Sequence, residues 1–144
     1  MAVSTIWSAC TSPSSSEQYL DDVARITEQM TNDSFAALPP GAAPTHQQVA
    51  EIVEARRAAL VAIEGLEPPE ELEPEHRVLI AALRAFVNAG TSFVEETAAL
   101  GPDAFLDALE ASTEIDLLAD RVSASCDAIR LRAADLGHPV GLAC

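Results

Sequence analysis

Apolar residues recur along most of this chain at alternating three- and four-residue steps, the spacing that gathers side chains onto one face of an α-helix. The first such stripe, Tyr19, Val23, Ile26, Met30 and Ala37, predicts a helix from about Ser16 to Leu38. Ser14 or Ser16 stands where it can cap this helix, and Glu17, Asp21 and Asp22 sit near the positive end of its dipole. Leu38-Pro39-Pro40-Gly41 and then Pro44 end it, because proline cannot continue the backbone ladder.

A second stripe, Val49, Ile52, Val53, Ala59, Leu60 and Ile63, predicts a helix that runs to about Gly65. It opens with Thr45 and, three residues on, Gln48, which is the capping-box arrangement. Arg56 projects near the middle of this stripe. Two readings of it stay open: a long stem lying along apolar surface or pairing with an acid, and the cation of an internal anionic site. The following EPPEELEPE, residues 67–75, reads as a solvated acidic loop, since it lacks the alternating ligands and central Gly of a calcium loop.

The third helix starts near Pro74 and shows Leu79, Leu83, Phe86, Gly90, Phe93, Thr97 and Leu100 on one face, widened by Ile80, Val87 and Val94. By pattern it is the most buried helix. Gly90 on that face either admits a close helix approach or leaves room for a ligand.

Gly101-Pro102-Asp103 breaks and restarts the chain. Phe105, Leu106 and Leu109 form a short apolar side that is out of phase with the next set, Ile115, Leu118, Val122, Cys126, Ile129, Ala133 and Leu136. The pattern therefore predicts a kink, break or change of partner between Glu110 and Thr113, with Ser112 or Thr113 available as a cap. Gly137 and His138-Pro139 end the last helix. The fold expected is all-α, an antiparallel up-down bundle of four main helices with the last kinked or broken near Ser112, occupying residues 17–144 with a C-terminal tail, after a signal-peptide remnant or disordered linker, residues 1–16.

Composition supports the helices: 49% of the residues are hydrophobic but only 4% aromatic, and Ala, Leu and Val dominate. The net charge of -15 excludes a nucleic-acid-binding role on most of the surface and disfavours anionic lipid. No lysine occurs, as in chains from GC-rich bacterial genomes. Catalytic patterns are missing. There is no Gly-x-Ser-x-Gly, no phosphate-cradling Gly loop and no CxxCH. Glu73-x-x-His76 is a lone copy of a turn that a di-iron centre needs twice, and His46 and His138 stand apart from any ligand spacing, so no metal and no cofactor is expected.

Three cysteines remain, at 10, 126 and 144. The tail after Gly137 spans more than about 20 Å when extended, so Cys144 reaches back to Cys126. The alternatives are a disulfide between them, or a buried thiol and a free terminal one. Near the N-terminus, Trp7-Ser8-Ala9-Cys10 places small residues before a Cys, followed by Ser/Pro-rich sequence. Together, this Cys10 context, the Ala-rich helices, Cys126 and the apolar tail ending in Cys144 resemble the uncharacterised small secreted lipoproteins of actinobacteria and other GC-rich bacteria. That resemblance implies Cys10 as a lipid anchor, a Cys126–Cys144 bridge and an extracytoplasmic place at the cell membrane, with no shared activity. The function expected is a non-enzymatic binding or interaction module for a protein or small molecule. The alternative is a carrier holding a small apolar or anionic ligand beside Arg56 and Gly90.

Overall fold

The computed structural model describes residues 15–38 and 40–144, and all regular structure among them is helical. The α-helices are α1 (Ser15–Ala37), α2 (His46–Glu64), α3 (Glu73–Glu96), α4 (Pro102–Glu110) and α5 (Thr113–Asp135). Cys10, and with it the lipid-anchor expectation, lies outside the described residues.

Each boundary has a local cause. The Thr45 hydroxyl accepts from the Gln48 N–H at 3.2 Å while the Gln48 side chain accepts from the Thr45 N–H at 2.9 Å, completing the capping box at α2. At the end of α5, Gly137 has φ +81°, its N–H donates to the Ala134 carbonyl, and the His138 N–H donates to the Ala133 carbonyl at 2.8 Å. These two bonds and the left-handed glycine turn the chain sharply out of the helix.

The last helical stretch is broken where the apolar phase changes, as expected near Ser112: α4 is separate from α5, and Ser112 occupies the cap position without a side-chain hydrogen bond. An unbroken helix would turn one of the two apolar sets toward solvent. Three expectations need correction. First, α3 ends at Glu96 rather than near Leu100: Thr97 is its cap, its hydroxyl donates to the Phe93 carbonyl at 2.6 Å, and Leu100 is exposed. Second, residues 67–75 are not a solvated loop throughout. Glu70–Leu72 forms a 3-10 turn, Leu72 is 0% exposed, and Glu73 to Glu75 make the first turn of α3. Third, the N-terminal segment does not extend to residue 16, because Ser15 and Ser16 already belong to α1.

Packing runs as a chain of neighbours, α1 on α2, α2 on α3 and α3 on α5, while α1 and α5 barely touch. One core joins them, drawn from Leu20, Val23, Ile63, Leu79, Leu83 and Ile129 among others. Short α4 caps one end through Phe105, buried between the rings of His46 (5.5 Å) and Phe93 (5.9 Å). The C-terminal residues Val140 and Leu142 pack against the same core. An 18-residue window within Glu70–Glu96 has a mean hydropathy of 1.3, so this segment is long and apolar enough to cross a membrane by length and composition alone. Here it packs between α2 and α5.

Candidate functional site

Arg56 follows from its helical phase: with Val53, Leu60 and Ile63 buried on the same side of α2, the residue between them must send its stem inward. Its guanidinium carbon lies 4.3 Å from the centre of the Phe86 ring on α3. Its Nε is buried and, among the described residues, has no hydrogen-bond partner and no paired carboxylate. Burial pushes its pKa below the ordinary arginine value. Stacking on a ring face offsets part of that desolvation. Among the described residues, the other buried side-chain atom lacking a partner is Glu75 Oε2. It cannot serve Arg56, because Glu75 and Phe86 are separated by about 16 Å along α3 at the helical rise.

Gly90 does not leave room for a ligand. A Cβ built there would stand 2.7 Å from Val53 Cγ2, so the absent side chain is what lets α2 and α3 approach. Arg56 and Gly90 thus lie on one helix interface, and at Gly90 the space is taken by Val53. The groove of about 160 Å³ on the outside of that interface is lined by Val53, Arg57 and Thr91 rather than by Arg56. In it, Arg57 donates to the Thr91 hydroxyl at 2.7 Å and pairs with Glu54 at 3.1 Å.

Cys126 and Cys144 are disulfide-bonded, with Cα atoms 6.4 Å apart. Cys126 is buried on the core stripe of α5, whereas Cys144 is exposed. The tail is held at further points. His138 Nδ1 lies 3.3 Å from Glu17 Oε1 of α1, Thr31 of α1 donates to the Ala143 carbonyl at 2.6 Å, and Ser123 of α5 donates to the Cys144 carbonyl at 3.3 Å.

A polar cluster at the start of α1 and α3 escaped the sequence reading. Tyr19 Oη and His76 Nδ1 meet at 2.9 Å, both buried, with their rings edge-to-face. Burial, and then the nearby charge of Glu75, raise the tyrosine pKa well above its ordinary value; burial lowers that of His76 against the opposing pull of Glu73. Ser16 donates to Glu71 at 2.8 Å, and Arg132 of α5 donates to the Glu71 carbonyl at 3.2 Å. The Glu71 carboxyl is held below the usual range by its own backbone N–H and then by Ser16. The signal for this cluster is a polar residue in an apolar register: His76 precedes Leu79 and Leu83 on the buried face of α3.

The three histidines have structural partners: His46 donates to the Val94 carbonyl at 2.7 Å, His76 meets Tyr19, and His138 meets Glu17. Among the described residues no group of three or more His, Cys, Asp or Glu side chains is placed to hold a metal ion. Compared with protein-family models, with curated proteins and with solved structures, the chain matches none.

Proposed function

We propose that this chain is an extracytoplasmic, lipid-anchored antiparallel up-down bundle of four main helices that acts as a non-enzymatic binding or interaction module. The observation that carries the reading is the Cys126–Cys144 pairing, since a bond between a core cysteine and a tail cysteine persists in an oxidising compartment. Cys10, with small residues before it and Ser/Pro-rich sequence after it, is the lipid acceptor in this reading. The linker lets the bundle stand off the membrane, and the charge of -15 keeps it away from anionic headgroups. The structural employment of all three histidines supports a binding role over catalysis.

Cell fractionation tests the reading. The full chain is expected in the membrane fraction, released by detergent but not by salt, and Cys10→Ala is expected to shift it to the soluble fraction. Wild-type protein recovered from the cytosol with free thiols would refute it.

A second reading, a carrier for a small anionic ligand, is favoured by the buried, unpartnered Nε of Arg56. The filled space at Gly90 counts against the wider version in which both residues line one cavity. Retention of a small carboxylate in native mass spectra, lost in Arg56→Met, would establish it; a wild-type mass equal to that of the bare chain would remove it.

A further inference from the structure

We propose that residues 137–144 form a reducible strap, closed by the Cys126–Cys144 bond, over a seam between α1 and α5 that the helices leave open. The packing order supplies the seam: α1, α2, α3 and α5 each grip the next, but α1 and α5 barely touch. The tail bridges them. It leaves α5 at Gly137, meets α1 at Glu17 through His138, lays Val140 and Leu142 on the core, meets α1 again at Thr31 through the Ala143 carbonyl, and bonds to α5 at Cys126. On the faces where it lands, the residues one turn away, Thr27 on α1 and Val122 and Ile129 on α5, are all buried.

The closure has an accessible end and a protected one. Cys144 is exposed and Cys126 is 2% exposed, so an incoming thiolate reaches the Cys144 sulfur first. With a dithiol as reductant, that thiolate bonds to Cys144 Sγ, the Cys126–Cys144 bond breaks, and Cys126 leaves as thiolate and takes up a proton. The second thiol of the reductant then displaces Cys144, which leaves protonated, and the reductant ends as its own disulfide. Two electrons and two protons are transferred. What then retains the strap is a small apolar contact, the Glu17 pair and hydroxyl bonds from Thr31 and Ser123 near the surface. Such contacts give only modest local protection, so the strap opens while the α1–α2, α2–α3 and α3–α5 interfaces persist. The device does not depend on whether Cys10 carries a lipid.

The experiment compares the oxidised full chain with the same chain in excess dithiothreitol, with thiol counts by alkylation and mass to establish reduction. Segment-resolved hydrogen exchange, far-UV circular dichroism and fluorescence of an apolar dye are then read. Expected are exchange faster by about tenfold in residues 136–144 and in the tail-facing turns of α1, dye fluorescence raised about threefold, and an unchanged helical signal. A Cys126→Ala chain lacking residues 139–144 is expected to reproduce the reduced state in the exchange of the tail-facing turns of α1, in dye fluorescence and in the helical signal. Unchanged exchange and dye binding on full reduction would show the bond to be inert and overturn the proposal. Loss of the helical signal in either form would show a simple staple of the whole fold, and would overturn it equally.

Discussion

Replacing Cys126 and Cys144 together by alanine tests what the tail contributes to the fold. The bond joins residues 18 apart, and a loop of that length loses about 3 kcal/mol of unfolded-state entropy in the chain-entropy model. Alanine at 126 avoids burying a new hydroxyl on the core stripe, so the measured loss reports the closure rather than a solvation penalty. Removing the buried sulfur adds a small cavity term of about 1 kcal/mol, on the scale seen when a buried methyl-sized group is deleted. The expected total is therefore about 3 to 4 kcal/mol. For a chain of this length that corresponds to a melting temperature lower by about 10 °C. Urea unfolding followed by circular dichroism supplies the free energy, and Cys144→Ala alone separates the two parts because it removes the bond while leaving the buried sulfur. The single variant should lose about 3 kcal/mol. A loss below about 1 kcal/mol in both variants would refute the closure argument, because the tail would then be held by its contacts and not by the bond.

Other outcomes follow from single contacts. Gly90→Ala places a methyl against Val53 and should cost about 1 to 3 kcal/mol in urea unfolding, with Val53→Ala in the same chain recovering part of the loss. Arg56→Met removes the unpartnered Nε but keeps an apolar stem against Phe86, so stability should stay level or rise, whereas Arg56→Ala should cost about 1 to 2 kcal/mol of lost packing. Because burial lowers the pKa of His76, the unfolded chain binds its proton first as pH falls; this contribution to stability is full above about pH 6.5 and declines below it, towards the lowered folded value. The urea midpoint should therefore drop between pH 7.5 and pH 5.5, and His76→Gln should flatten that part of the profile. Thr45→Ala removes half of the capping box and should cost about 1 kcal/mol by the same unfolding assay.

The helices were legible because a buried face leaves a period. Tyr19, Val23, Ile26 and Met30 were all on the predicted stripe and all are buried, and the out-of-phase sets on either side of Ser112 marked a real break. The apolar spacing could not show which residues from distant segments would meet. Leu72 sits in an acidic, proline-punctuated stretch with no period of its own, and only the 3-10 turn reveals it as a core residue. Gly90 could be placed on the packed face, but not matched to Val53, because that choice depends on the axial register of α2 against α3. Leu20 and Thr27 widen the buried face of α1 beyond its predicted stripe. Chain length permitted a Cys126–Cys144 bond without deciding between it and two free thiols, while the tail's position against α1, fixed by Thr31 and Glu17, depends on tertiary placement that no periodicity encodes.

Among the site residues, Arg56 was recognisable as a charge on an apolar face, and its ring partner was not. Tyr19 and His76 are 57 residues apart, and neither belongs to a motif. Their bond depends on α1 and α3 starting at the same end of the molecule, as the Ser16–Glu71 bond also shows. A polar residue in a buried register is a clue to such a partner, but it does not identify one.

The most direct test of an extracytoplasmic, lipid-anchored bundle is the intact mass of the full chain purified from cell envelopes, taken after alkylation without reduction. Expected are a bridged Cys126 and Cys144, carrying no alkyl label, together with a lipid adduct on Cys10. Alkyl label on all three cysteines, with no lipid mass, would contradict it.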